Sequence, residues 1–252
     1  MSDLLYLIKY LLSENPKLKE VEIPDDITNQ KRLLRSLMNV RPPMPISDEF
    51  LKVQDKFLQE ELNRKGVVDI KELTPIAKDI YLWQGDITRL KVDAIVNAAN
   101  DQMLGCFVPC HGCIDNAIHS AAGIQLRLEC NEIMKKQGKP EPTGQAKITK
   151  GYNLPAKYVI HTVGPIVYDK LSQKLCDLLK SCYNSCLKLA DKNRLKSIAF
   201  CCISTGEFHF PNVIAATIAR ENILEYEKKS DIKVVFNVFK DYDYEIYKRL
   251  FE

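Results

Sequence analysis

The chain has 252 residues, 46% of them hydrophobic and 27% charged, with 36 Lys and Arg against 33 Asp and Glu. That composition excludes a disordered, collagen-like or fibrous chain, and a formal charge of +3 is too small and too evenly spread to point to nucleic-acid binding. No apolar run approaches the ~20 residues of a membrane-spanning helix, and residues 4–8 lie between Asp3 and Lys9, too close to charge for a secretory signal. Nine cysteines, two of them the adjacent Cys201 and Cys202, suit a reducing compartment, so the expectation is a cytoplasmic protein with neither membrane nor nucleic acid as a partner.

Residues 1–75 read as a helical extension. Apolar residues recur at three- and four-residue spacing over 4–13, 27–38 and 48–63, with Ser47 as an N-cap and breaks at Pro24 and at Pro42-Pro43-Met44-Pro45. The simplest role for these helices is to cover one side of the main domain. From residue 76 to 252 strands alternate with amphipathic helices. Strands are expected at 81–83 and 94–96, then a helix over 113–136 whose Ile118, Ala122, Leu126, Cys130 and Ile133 share one face. A strand at 158–160, a helix over 173–192 and a buried strand at 197–203 follow, then a helix over 213–228, a strand at 233–239 and a helix over 242–251. This alternation predicts an α/β fold with a mixed, largely parallel sheet and helices on both faces. Ligands of such sheets sit at the carboxyl ends of the strands, so the loops after Trp83, Asn97, Ile160 and Ile203 are the ones to inspect.

The most unusual segment is Cys106-Phe107-Val108-Pro109-Cys110-His111-Gly112-Cys113, three thiols and an imidazole directly before a helix. Zinc suits these donors. Cys110 and His111 are neighbours that would struggle to face one ion, so the natural ligand set is Cys106, His111 and Cys113, three ligands with a fourth position open as in catalytic zinc sites. A closed structural site taking a Cys from elsewhere, and a cluster of reduced thiols without metal, are the alternatives. Asp86, in Gln84-Gly85-Asp86-Ile87, offers a carboxylate to an exocyclic amine such as adenine's, and Asn97-Ala98-Ala99-Asn100 ends a strand in small residues and amides that let a ligand approach. The loop Ser204-Thr205-Gly206-Glu207-Phe208 could turn its backbone N–H groups to a diphosphate and its aromatic ring to a ribose. Taken singly, each of these also reads as an ordinary turn, and His119, His161 and His209 read as packed histidines.

In their joint order these pieces resemble the macrodomain family. The resemblance runs over residues 78–240 and rests on Gln84-Gly85-Asp86-Ile87-Thr88, Val92-Asp93-Ala94-Ile95-Val96-Asn97-Ala98-Ala99-Asn100, Ile114-Asp115-Asn116-Ala117-Ile118-His119 and Ala122-Gly123. Its second half is carried by Thr143-Gly144-Gln145-Ala146, Ile160-His161-Thr162-Val163-Gly164-Pro165 and Ile203-Ser204-Thr205-Gly206. Where hydrolytic macrodomains of the common type have a glycine run before the Asp, this chain has the Cys106 to Cys113 segment. Together with Leu34-Arg35-Ser36-Leu37-Met38-Asn39-Val40-Arg41-Pro42-Pro43, that departure resembles a zinc-containing subgroup of bacterial and fungal protein-ADP-ribose hydrolases, some of them associated with a sirtuin-type ADP-ribosyltransferase and lipoylated carrier proteins.

The resemblance implies a three-layer α/β/α macrodomain that binds ADP-ribose and removes mono-ADP-ribose from Asp or Glu of modified proteins. Asp86 and the backbone of Ile87 would then meet adenine, Ser204, Thr205, Gly206, Glu207 and Phe208 the diphosphate, and Asn100 the distal ribose. Asp115 would orient water near the scissile bond, and Cys106, His111 and Cys113 would hold one zinc ion. Whether the metal furnishes the nucleophile or fixes the ribose is left open. So is a second reading, a non-catalytic ADP-ribose reader whose zinc only braces the loop.

Overall fold

A computed structural model describes residues 2–18 and 20–252. Three helices come first, α1 (Asp3–Glu14), α2 (Ile27–Val40) and α3 (Asp48–Lys65). Ser2, Asp26 and the anticipated Ser47 cap them, accepting the N–H groups of Leu5, Asn29 and Phe50. Leu4, Leu7, Ile8 and Leu11 of α1 close on Leu34, Leu37 and Met38 of α2, on Phe50 of α3, and on Ile124 beyond them. Helix α2 stops at Val40 because Arg41 precedes Pro42 and is held extended, at φ −65° and ψ 123°. Buried Arg41 then ties the proline turn to α1, with Nε 2.6 Å from Glu14 Oε2 and Nη2 2.8 Å from Oε1, while it also donates to the carbonyls of Met44 and Pro45.

The remaining elements are β1 (Val68–Asp69), β2 (Pro75–Ala77), β3 (Ile80–Gln84), β4 (Leu90–Lys91), β5 (Ala94–Ala99), α4 (Ile114–Ala122) and α5 (Ile124–Gln137). After them come β6 (Ala146–Lys150), β7 (Tyr158–Val163), α6 (Gln173–Lys192), β8 (Ser197–Phe200), α7 (Asn212–Glu227), β9 (Lys233–Val238) and α8 (Asp241–Phe251). Seven strands form one sheet in the order β2-β3-β9-β8-β5-β7-β6, while β1 and β4 pair separately. All pairs from β3 across to β7 are parallel, and only the two edge strands, β2 and β6, run antiparallel to their neighbours. Helices α4 and α5 cover one face, with α2 packed against α4, and α6, α7 and α8 cover the other. The expected mixed, largely parallel sheet between helical layers is therefore the one observed, and buried β5 reads as an apolar run because it is covered on both sides.

Two expected elements are corrected. The helix anticipated over 113–136 is broken at Gly123, which sits at φ +96° between α4 and α5. The apolar periodicity runs on through the break, but buried Gln54 of α3 reaches in and its Oε1 accepts Ile124 N–H at 2.9 Å, capping a new helix where a continuous one would have used its own carbonyl. The strand anticipated at 197–203 ends at Phe200, because β5 and β9 diverge beyond that point and leave no partner for Cys201 to Ile203. Edge strand β6 is an addition that no apolar run announces, since two of its five residues are lysines, as suits an edge that must not pair further.

A Cβ on Gly123 would lie 2.7 Å from both Gln125 Oε1 and Gln54 Nε2, at a φ that disfavours L side chains. Gly123→Ala is expected to cost about 1–3 kcal/mol, read as a fall in Tm of roughly 3–10 °C for a chain of this size.

Candidate active site

The divergence that ends β8 also opens the site. Strand β5 pairs with β8 only at Ala94–Ile198 and Ile95–Ala199, then continues along β7 as far as Val163. On the other side β9 leaves β8 after Phe236 and runs on beside β3 to Val238. Between the splayed ends lies a crevice of about 790 Å³, lined by Asp86, Ile87, Asn100, Cys106, His111, Cys113, Asp115 and the stretch Ser204 to Phe208. The residues to which the resemblance gives a role thus line one cavity of ligand size at the carboxyl end of a parallel sheet, whereas Asn97, Cys110, His119, His161 and His209 do not line it.

At one end, Asp86 follows β3 and caps a short 3-10 turn: its Oδ1 accepts from the Thr88 amide at 3.0 Å and the Thr88 hydroxyl at 2.6 Å. Oδ2 is left facing outward, 3.8 Å from Lys65 Nζ. Beside it Phe239, 75% exposed and at the end of β9, also lines the crevice. In the middle, Ser204 takes a left-handed φ of 66°, and the loop closes through His209 N–H to Gly206 O at 3.0 Å and Phe210 N–H to Ser204 O at 2.9 Å. The N–H groups of Gly206, Glu207 and Phe208 have no acceptor among the described residues. The Ser204 hydroxyl is likewise buried without a partner, and a Cβ on Gly164 would lie 2.0 Å from it, so only glycine fits there. Unpaired donors converging from one loop are what an anionic diphosphate requires.

At the far end stand the thiols. Cys106 Sγ lies 3.6 Å from His111 Nδ1, and the ligand atoms of Cys106, His111 and Cys113 fall within 4.8 Å of one another. With Zn–S near 2.3 Å and Zn–N near 2.0–2.1 Å, a tetrahedron puts sulfur and nitrogen about 3.6 Å apart, so the donor set fits zinc. His111 Nε2 is 3.7 Å from Glu207 Oε1, so a carboxylate stands beside the ring nitrogen that a ligand histidine leaves free. Burial pushes the Cys113 thiol up to about 12, reinforced by Cys106 and Asp115, against a favourable backbone N–H from Asn116. Cys110 turns away: at φ 51° its Sγ meets Ser36 Oγ at 3.2 Å and the Arg32 carbonyl at 3.4 Å.

Asp115, in the first turn of α4, is a buried residue of the crevice wall beside the thiols. Its Oδ1 accepts from Asn97 Nδ2 at 2.7 Å, and its Oδ2 lies 3.5 Å from Asn100 Nδ2. Asn100 spends its own oxygen on the N–H groups of Gln102 and Met103. Behind Asn97, His161 Nδ1 is 3.1 Å away while His161 Nε2 meets Thr149 Oγ1 at 2.9 Å and Cys130 Sγ at 3.8 Å. Because the Asn97 amide donates, His161 accepts at Nδ1 and carries its proton on Nε2. Burial pushes Asp115 up to about 6, against the pull of the Asn97 hydrogen bond and Arg127, and it depresses His161 to about 3. His119 is depressed as well, by burial first and then by His161 and Arg127, so its 3.6 Å approach to Asp115 is a contact of a neutral ring.

Comparison with known proteins bears directly on this arrangement. A family model for the Macro domain matches residues 96–219. A protein-ADP-ribose hydrolase of Treponema medium is 54% identical over 98% of this chain and 97% of its own length, and one of Staphylococcus aureus strain MRSA252 is 53% identical over 98% and 94%. The chain belongs to the macrodomain family of protein-ADP-ribose hydrolases. The Trypanosoma brucei macrodomain solved in complex with ADP-ribose superposes with a TM-score of 0.68 at 32% identity, covering 86% of this chain and 95% of its own.

Several crevice residues of this macrodomain were given no role in the site from sequence: Phe239 and Asn237 at the β9 end, Asp243 of α8, Gly164, and Arg35 from α2. Asn237 Nδ2 donates to Gly85 O at 3.0 Å and so holds the Asp86 turn. The signal was the end of strand 233–239, which counts as a crevice loop once β9 is known to lie beside β3.

The buried rings set the acid response of the macrodomain. A histidine depressed from 6.5 to about 3 contributes stability that is whole above pH 6.5 and is lost as pH falls through that range, and His119 acts in the same direction. Asp115, raised from 3.8 to about 6, contributes below pH 3.8 and loses that contribution as pH rises through 6, offsetting part of one histidine. The unfolding temperature should therefore drop steadily from pH 6.5 to pH 4, with a shallower slope in His161→Asn. Parallel slopes in variant and wild type would remove His161 from this account.

Proposed function

We propose that this macrodomain is a zinc-containing hydrolase that frees ADP-ribose from mono-ADP-ribosylated Asp or Glu side chains of proteins. The observation that carries the reading is the convergence of three things in one crevice. These are a loop of unpaired N–H donors, the Asn100 and Asp115 pair, and a Cys106, His111 and Cys113 donor set with tetrahedral spacing. The outward oxygen of Asp86 takes the adenine amine, the Ile87 backbone lies beside it, and Phe239 packs on the base. Ser204, Thr205, Gly206, Glu207 and Phe208 cradle the diphosphate. Asn100, whose amide nitrogen lies 3.5 Å from Asp115 Oδ2, holds the distal ribose.

Cleavage breaks the bond between C1″ and the carboxyl oxygen of the modified residue, water adds at C1″ and releases one proton to solvent, and the carboxylate departs without needing a proton at neutral pH. Asp115 accepts a hydrogen bond from that water and aligns it, a role open to it once it is ionised, above about pH 6. Cys106, His111 and Cys113 would hold one zinc ion, which supplies Lewis-acid polarisation at the sugar end when bound. The nine free cysteines support a reducing, cytoplasmic setting, and no helix of the described residues is long and apolar enough to cross a membrane. A lipoylated carrier as the modified partner is carried by the resemblance alone. The division into an extension over 1–75 and a macrodomain over 76–252 has support in the separate apolar core of the three helices, although Ile70 already packs in the main one.

The test follows ADP-ribose released from proteins modified on Asp or Glu. Asn100→Ala and Asp115→Ala are each expected to slow release by about 10²-fold or more while ADP-ribose binding persists. Cys113→Ala, or exhaustive chelation, should abolish stoichiometric zinc and slow release without unfolding the chain. Tight calorimetric binding of ADP-ribose with no release by the wild type would instead make the protein a reader.

A further inference from the structure

The segment from Asp101 to Cys113 contains neither helix nor strand, yet three metal donors on it must keep their spacing. Within itself the loop has little to hold it, chiefly His111 N–H to Val108 O at 3.2 Å. Its restraints come from outside, and those on Cys110 and on the His111 carbonyl come from one face of α2. Arg35, Ser36 and Asn39 fall at i, i+1 and i+4 and turn polar side chains to the loop, while Leu34, Leu37 and Met38 face the helical core.

Each of these polar side chains has a defined task. Arg35 Nη2 donates to the His111 carbonyl at 3.2 Å, and its Nε and Nη2 grip Asn116 Oδ1 at 3.0 and 2.7 Å. That grip orients the Asn116 amide, whose Nδ2 donates to the Val108 carbonyl at 2.9 Å. Asn39, only 1% exposed, accepts Cys110 N–H at 2.9 Å and donates to Ser120 Oγ at 2.9 Å. Cys110 is held at a positive φ of 51° that a non-glycine residue rarely adopts, so something must keep it there. The Asn39 bond, with Ser36 Oγ and the Arg32 carbonyl on its thiol, does so.

We propose that Arg35 and Asn39 are positioning residues for the metal site, so that the N-terminal helices serve as the outer shell of the Cys106, His111 and Cys113 ligand set. This rests on the zinc reading above. The physical reason is entropic: a loop without internal structure pays for ordering three ligands at the moment of metal capture unless a rigid neighbour has already ordered it. A helix is the rigid neighbour here, and its own register against the loop is set by Arg127, which donates to the α2 carbonyls of Met38 and Asn39, to that of Arg41 and to the loop carbonyl of Leu104.

The experiment is competition of full-length protein with a chromophoric chelator for zinc, beside thermal unfolding of the metal-free proteins. Arg35→Ala and Asn39→Ala should each weaken zinc binding about 10- to 100-fold. Asn39→Asp, which keeps an acceptor for Cys110 N–H, should weaken it less than Asn39→Ala does. Arg35→Lys, a milder change that keeps charge but loses the fork, should still cost close to tenfold. Lys31→Ala, whose partner is Glu61 of α3 and not the loop, should match the wild type. Wild-type affinity in Arg35→Lys and Asn39→Ala overturns the inference. Failure of the wild type itself to bind zinc would overturn the metal reading beneath it, and the two results are told apart by that first arm.

Discussion

One buried guanidinium joins the layers of this protein. Arg127, on α5, is 5% exposed and meets the end of α2, where the last carbonyls lack helical partners and carry partial negative charge. Its Nη1 lies 3.0, 2.8 and 2.6 Å from the carbonyls of Met38, Asn39 and Arg41, its Nε lies 2.6 Å from Leu104 O, and its face stacks 4.3 Å from the Phe107 ring. Burial lowers it only to about 10, partly offset by Asp115, so it stays charged at neutral pH. A buried cation without partners would cost several kcal/mol, and four carbonyls are what make this one tolerable. The helical layer, the donor loop and the sheet-covering helix thus share one electrostatic joint.

Two consequences meet at the Asp115 end of the crevice. Burial keeps His119 and His161 neutral, which lets His161 accept from Asn97 and lets Asn97 in turn donate to Asp115. The same burial raises Asp115 toward neutrality, and a single amide hydrogen bond with a nearby guanidinium holds it to about 6. That carboxyl stands beside the Cys113 thiol, which burial pushes toward its protonated form.

Much of this was legible in the sequence. The three N-terminal helices, α6 and the order of strands and helices follow from periodicity, because each element buries one stripe and the pattern records which. The resemblance to macrodomains groups Asp86, Asn100, Asp115 and the Ser204 to Phe208 loop as parts of one site, although the chain holds them far apart. The breaks were less visible. Gly123 sits in a continuing apolar pattern, and the residue that splits the helix there, Gln54, comes from 69 positions upstream (123 − 54). Ile203 is as buried as a strand residue though it lies outside the ladder, so burial alone misled.

Alone, then, the sequence determined the class of sheet, the family and many of the side chains that line the crevice, since these depend on local periodicity and on motifs whose members are near neighbours in the chain. Only the tertiary structure decided that Cys110, left over from the expected ligand set, turns to Ser36, that His111 stands between Arg35 and Glu207, and that Phe239 lines the crevice with Asp86. Those contacts join residues more than 70 positions apart, and the divergence of β5 from β9 that creates the crevice is a property of strand order. No local pattern carries that order, because it is set by which crossovers let the helices cover both faces at once.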